Sequence, residues 1–422
     1  MTQYPAHISI TYINHEKVRE GQKAGKAVAV VVTSHHTANE VKISEPIDVR
    51  WGLLLAGLLG VCIPLMAAVL PEERADMMYH SYSGGGITID GPSILARKSL
   101  GEQISVWGNY YIDSITSASI DVVTTASPYT EERTENGVGI DYLHNSTTLS
   151  MSYANSVEND FVANSMHFTV SQDMFGDLTT VSMGYSRGWD EITATANPGL
   201  EENAKRQHFR LGVSQIVTKN LLMDLSFETI SDEGFLNNPY RQVRYLDSPT
   251  SYARQFEEYP NTRTSHAVAI RALYYLPYRA AIKGEYRVFN DTWGIQSNMT
   301  EVGYTHPLEN NWTLDFSYRA YGQTRAEFYS DLFPRIDAQN YLARDKELST
   351  FTSQSFGLSA SYEFAKKGWK LIDKGSANIS YSHILFDYED FRDIRVPVLT
   401  PGTEPLYNFS ADVVQLYVSV WY

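Results

Sequence analysis

Few residues in this chain stand in a pattern that could do covalent chemistry. His144, His167, His208, His266, His306 and His383 lie far apart, with no serine and acid at a repeated spacing, so nothing marks a Ser-His-Asp centre and no enzymatic activity is expected. The stretch SDEGFLNNP offers Asp232, Glu233, Asn237 and Asn238 as oxygen ligands for calcium, but the spacing fits no known loop and turn chemistry explains it as well. Gly84, Gly85 and Gly86 join two short segments with no helix after them, which fits a tight hairpin better than a phosphate cradle. Cys62 is the single cysteine, so disulfide frameworks, haem-attachment motifs and Cys/His metal clusters drop out, and neither cofactor nor metal is expected.

The chemistry that does repeat is charge at alternate positions. Arg210, Asp224, Glu228, Arg271, Lys283, Glu285, Arg287, Glu301, Asp315, Arg319 and Glu363 each share a face with small or polar residues, while the opposite face is apolar. Inside a barrel these charges would line the lumen, the basic ones lying across from the acidic ones. Such a transverse field orients polar solutes more than it selects one ion sign. A net charge of -15 without a basic stripe argues against nucleic acid as a partner.

The elements that must carry these residues are strands. Leu149, Met151 and Tyr153 oppose Ser150, Ser152 and Ala154; Leu314, Phe316 and Tyr318 oppose Asp315, Ser317 and Arg319. Tyr and Phe recur at the ends of the apolar faces, as in the aromatic girdles of membrane barrels. The mean hydropathy of -0.29 agrees with alternating lipid-facing and lumen-facing side chains. The periodicity predicts an all-β fold, a transmembrane antiparallel β-barrel of about 16 strands, with 14 or 18 if a hairpin is miscounted. The strands fall near 76–83, 87–98, 104–114, 134–143, 147–156, 160–172, 178–189, 204–216, 220–231, 262–276, 280–291, 295–306, 311–322, 350–363, 375–387 and 408–422. Each is read as roughly nine to thirteen residues, a tilted bilayer crossing. Tight turns alternate with long links at 115–133, 190–203, 232–261, 323–349 and 388–407, which puts the short turns in the periplasm and the long loops outside. Both chain ends then face the periplasm and the strand number is even.

Upstream, Trp51–Leu70 is one apolar run after Arg50, read as an export signal with its h-region and cleavage site in 51–68; a membrane anchor is the rival reading. Residues 1–50 are set aside as a non-core leader or start-site artefact, leaving the barrel at 75–422. Val414, Leu416, Val418, Val420 and Tyr422 share one face of the final strand, a pattern like the insertion signal that the barrel-assembly machinery reads, with outer-membrane lipids as the other partner. The longest aromatic loop, with Tyr329, Asp331, Phe333 and Asp345, is expected to fold into the lumen or to form a contact surface for a partner, with a plain packed lid as the alternative.

Several long stretches, among them MYHSYSGGGITIDGPSILARKS, DMFGDLTTVSMGYSRGWD and FYSDLFPRIDAQNYLARDKELSTFTS, resemble a proteobacterial family known as a domain of unknown function, number thirty-five seventy. The resemblance covers essentially all of 75–422 and none of 1–50. It implies an outer-membrane barrel and carries over no catalytic residues. It also implies a setting beside a small lipoprotein, a thioredoxin-like protein and a flavin transferase, hence a redox-linked envelope assembly. Two functions follow as expectations: a porin-like channel in the Gram-negative outer membrane, or a structural barrel that anchors or sheathes a small redox-linked lipoprotein.

Overall fold

Alternation forces closure, because a long sheet with one apolar face leaves unpaired N–H and C=O groups at any edge exposed to lipid. A computed structural model describes residues 69–120, 129–309, 311–365, 368–369 and 371–422; the leader and signal expected at 1–68 lie outside the described residues. The strands are β1 Arg74–Gly84, β2 Ile87–Leu100, β3 Ile104–Ser117, β4 Tyr129–His144, β5 Thr147–Glu158, β6 Phe161–Met174, β7 Thr179–Thr193, β8 Glu201–Thr218, β9 Leu221–Gly234, β10 Gln242–Ser248, β11 Ser251–Phe256, β12 Thr262–Tyr275, β13 Ala281–Asp291, β14 Gln296–Pro307, β15 Trp312–Gln323, β16 Phe351–Phe364, β17 Lys374–Arg392 and β18 Leu406–Trp421. All but β10 and β11 form one closed antiparallel barrel, so each of the sixteen expected segments is a barrel strand. β1 closes on β18 in unbroken register, from Arg74 opposite Trp421 to Gly84 opposite Ala411.

The outward faces carry Met77, Val138, Met183, Leu225, Phe316 and Leu358, all exposed. A continuous apolar belt of this kind is stable only in lipid, and it makes the barrel a transmembrane one. Its rim toward the long loops is marked by outward tyrosines whose hydroxyls donate to polar neighbours: Tyr153 to Asn164 at 2.6 Å, Tyr185 to Gln207 at 3.3 Å, Tyr318 to Gln354 at 3.2 Å and Tyr381 to Asp412 at 2.6 Å. At the other rim Trp312 packs on Tyr362, and Tyr304 is hydrogen-bonded to His306 at 2.8 Å. These two rings of amphipathic side chains suit the two membrane interfaces.

The barrel strands run from 11 to 19 residues, eleven of the sixteen longer than the expected nine to thirteen. The excess lies at the long-loop end, where Glu201-Glu202-Asn203 continue the hydrogen-bonded ladder without an apolar face and β17 runs on through an irregularity between Asp387 and Arg392. Beyond the lipid nothing selects for alternation, so the sequence pattern stops before the strand does. The link 232–261, read as loop, also contains the β10–β11 hairpin. Gly85 and Gly86, at φ 59° and 82°, make the two-residue turn expected between β1 and β2, a conformation L side chains seldom adopt. Gly91 is fixed by contact: a Cβ there would lie 1.8 Å from the Ile112 carbonyl oxygen, next to Pro92, which has no N–H to give the ladder.

Candidate functional site

The lumen wall is built first from charge. Arg271 on β12 lies between the residues directly opposite it, Asp224 at 3.0 Å and Glu285 at 2.6 and 3.2 Å. Arg287 reaches Glu228 at 2.9 Å although β12 separates their strands. It can do so because β12 presents only Ala267 and Ala269 at that level. Arg210 lies 3.7 Å from the same Glu228, Lys283 donates to Glu301 at 2.7 Å, and Asp315 accepts from Thr305 at 2.5 Å. Arg319 stands in register with Glu301, while Glu363 lies near the far end of β16, apart from this patch.

The expected arrangement of basic residues across the lumen from acidic ones is therefore not what forms. Ten of these charges lie on β8–β15, and Arg210, Asp224, Glu228, Arg271, Lys283, Glu285, Arg287 and Glu301 pair side by side along the wall. Neighbouring strands bring side chains on one face to about 5 Å, whereas the opposite wall is a barrel diameter away, so short-range pairing wins. Each pair cancels most of its own field, and the transverse field is much weaker than unpaired charges would give.

A second polar cluster, on β1–β5, was not singled out from the sequence. His80 Nε2 is 2.8 Å from Asp113 and 3.0 Å from the Tyr111 hydroxyl, and the His80 and Tyr111 rings stack at 5.1 Å. Arg133 pairs with Asp113, Arg97 with Asp141, and Ser150 donates to Asp141 at 2.6 Å. The signal was present: Asp76 and His80 share one parity in β1, as do Tyr111 and Asp113 in β3. Between the two clusters, the lumenal positions of β5–β7 are small, with Ser152, Ser165, Ser182, Gly184 and Ser186 half-exposed and His167 exposed.

Over the mouth, three long loops fold into one cap. Residues 235–261 and 324–350 meet around an aromatic core in which Trp293, from the β13–β14 turn, contacts Phe328 at 5.1 Å and Tyr259 at 5.6 Å, on top of the lumenal Phe289, and residues 393–405 join them through Glu404. Arg244, only 1 % exposed, ties all three loops together. It donates to the Asp331 carbonyl at 2.8 Å, pairs with the Asp331 carboxylate, and reaches Glu404 at 2.6 and 3.1 Å. Arg344 adds 2.9 and 3.1 Å bonds to Asp331 and covers the Phe391 ring at 4.4 Å. Asn237 and Asn238, once weighed as calcium ligands, hold backbone: Asn237 accepts from Tyr259 N at 2.8 Å and Asn238 from Tyr240 N at 3.0 Å.

The residues expected to contact a partner are thereby relocated. Tyr329 and Phe333 are 4 % and 3 % exposed, Asp331 is held by two arginines, and Asp345 pairs with Arg241. They are the interior of the cap, because loops of this aromatic content bury their rings against one another before they meet anything else. A surface for a partner is left to other side chains.

Glu257 sits inside this cap, accepting from Arg344 N at 2.7 Å and from the Tyr259 hydroxyl at 2.5 Å. Burial pushes its pKa from 4.5 up to about 7, Arg241 pulling it down and Asp345 pushing it up. A carboxyl whose folded pKa is raised stabilises the closed cap fully below 4.5, and that contribution is lost as pH rises through about 7. It amounts to on the order of 3 kcal/mol. Limited proteolysis of the cap, normalised to an unstructured substrate, should accordingly run faster at pH 8 than at pH 5, and Glu257→Gln should flatten the difference. Equal rates in the unmodified protein would show that Glu257 does not govern closure.

Comparison with known proteins adds the following. No curated protein matches the chain. Among solved structures, a "Bacterial polysaccharide outer membrane secretin" is similar at TM-score 0.45 and 9% identity, covering 82% of this chain and 98% of that one. Outer-membrane expressed OmpT of Vibrio cholerae is similar at TM-score 0.41 and 10% identity, covering 84% and 100%. A Pseudomonas aeruginosa FadL homologue is similar at TM-score 0.39 and 8% identity, covering 83% and 90%. The family described as "Protein of unknown function (DUF3570)" matches residues 120–374, more than half of the chain. That is narrower than 75–422 and leaves β1–β3, nearly all of β17 and all of β18 outside the matched stretch. By that match, this sixteen-stranded barrel belongs to the DUF3570 family.

Proposed function

We propose that the protein is an outer-membrane channel whose mouth is covered by its own loops, placed in a Gram-negative envelope with the cap outward. One observation carries the reading: along β5–β7 the lumenal side chains are small, hydroxyl-bearing and accessible, while the bulky charges lie paired against the walls to either side. Among the described residues, strand contacts of any size are with ladder neighbours, and no described strand crosses the interior. Sixteen strands enclose a space wide enough for water. Reconstituted in planar bilayers, the protein should give discrete conductance steps with weak ion-sign selectivity, since the wall charges cancel in pairs. A protein that stays silent, even after its cap loops are cut by protease, would overturn the channel.

A structural barrel for a small redox-linked lipoprotein is the second reading. The observation that favours it is the cap surface, where Leu399 and Phe256 are 91 % and 64 % exposed. Cross-linking in intact envelopes separates the two, because a scaffold should return one stoichiometric partner and a channel none.

A further inference from the structure

Beneath the cap, three neighbouring strands each turn aromatic rings into the barrel. Phe386 on β17 and Phe409 on β18 are register partners and stack face to face, centroids 4.6 Å apart and 13° from parallel. Phe351 on β16 lies 6.3 Å from Phe386 and 5.3 Å from Tyr388. Tyr388, Tyr407 and Phe391 are buried against the cap, but Phe351, Phe386 and Phe409 are only partly buried. Phe386 and Phe409 point inward, with Leu385 and Val414 facing out, so the surface they retain opens on the lumen.

The wall that continues below this shelf decides what it suits. Below it the lumenal side chains are small: Ser353, Ser355, Gly357 and Ser359 on β16 lie beside Ile384, Ser382 and Ser380 on β17, with Ser355 opposite Ile384, Gly357 opposite Ser382 and Ser359 opposite Ser380, and Ser355, Ser359, Ser380 and Ser382 are half-exposed. From the shelf down to Glu363 and Lys374 at the far end, the lumenal positions of β16 and β17 carry no charge. A charged solute would find no counter-charge on these strands, and a wholly apolar one would lose its contact after the first rings and desolvate serines for nothing. A ring with an apolar C–H face and a rim of hydroxyls satisfies both halves, its face against the quadrupole of the phenyl rings and its rim on the serines.

Resting on the channel reading, we propose that this shelf of Phe351, Phe386 and Phe409, with the serine lane beneath it, is a binding site for neutral saccharides on their way through the barrel. The test uses the full chain in detergent, with saturation-transfer NMR and calorimetry, and probes of maltotriose, glucuronate and benzyl alcohol. Maltotriose should bind, with transfer strongest to its ring C–H protons, and the two other probes should bind much more weakly. Replacing Phe386 and Phe409 by Leu keeps apolar volume but removes the flat faces, and should weaken maltotriose binding by roughly tenfold while heat-modifiable migration is kept. Phe386→Ala alone gives a second, milder version should the double variant lose its fold. No transfer to maltotriose, unchanged binding in the leucine variant, or preference for benzyl alcohol would each overturn the site. Conductance is measured on the same preparation: a conducting protein that ignores maltotriose refutes the saccharide site alone, and a silent one that binds it refutes the channel alone.

Discussion

Arg244→Met should leave the barrel intact and open its mouth. The side chain lost bridges all three cap loops, from its own place on β10 to Asp331 and Glu404. Asp331 keeps Arg344, but the Glu404 carboxylate, in a residue 3 % exposed, is left with backbone N–H donors, that of Gly402 at 2.9 Å and its own. Leaving a buried carboxylate without its cation costs about 3–5 kcal/mol, which is enough to undo a loop-on-loop contact that local packing alone must otherwise hold. None of this reaches the strand ladders. The variant should therefore migrate as a heat-modifiable barrel, yet its cap should be cut by protease many times faster and its single-channel conductance should rise.

The companion substitution identifies the cause. Arg244→Met combined with Glu404→Gln removes the stranded charge, so part of the protease resistance should return although no ion pair has been restored. Should Arg244→Met prove as resistant and as closed as the unmodified protein, the aromatic core around Trp293 and Phe328 holds the cap without help from the arginine.

How far the sequence discloses this architecture depends on which solvent disciplines each stretch. Where a strand crosses lipid, every second residue must be apolar, and Leu314, Phe316 and Tyr318 or Val414, Leu416 and Val418 announce their faces to a reader with no structure. Lumenal identity follows from the same parity, so Arg271, Glu285 and Glu228 were legible as inward residues. Their partners were not, since register across strands decides whether Arg287 meets Glu228 and no spacing within one strand encodes it. The cap was the least legible part. Above the membrane no period constrains the chain, and the buried status of Arg244, Tyr329 and Glu404 arises from three loops that are more than 150 residues apart at their extremes, as Arg244 and Glu404 are. An aromatic, charged loop read alone looks like a contact surface; its burial is a property of the loops it meets.

Tyr422 is where local chemistry and assembly can be told apart. Its hydroxyl donates to the Arg97 carbonyl on β2 at 3.1 Å, passing over β1, and Lys98 sits 5.0 Å from its ring centroid. The side chain thus clamps the β18–β1–β2 seam from the lipid side, beside the Lys374–Glu72 pair at 2.8 Å. Changing it to Asp forfeits one hydrogen bond of about 1 kcal/mol and one exposed cation–π contact of about 0.5–1 kcal/mol. Placing a carboxylate near the edge of the apolar band adds about 0 to 1 kcal/mol. The total, roughly 1.5–3 kcal/mol, is small against a closed ladder of sixteen strands, so purified Tyr422→Asp protein should still refold into lipid vesicles with a modest loss. In cells the expectation differs. If Val418, Val420 and Tyr422 are read by the barrel-assembly machinery, Tyr422→Asp and deletion of Tyr422 should cut the heat-modifiable, membrane-inserted fraction severely while export proceeds, and Tyr422→Phe, which keeps the ring and loses only the hydroxyl, should insert almost normally. Normal insertion of Tyr422→Asp in cells would end the signal reading and leave Tyr422 as a seam clamp; an equal failure in vesicles would assign the whole defect to the seam.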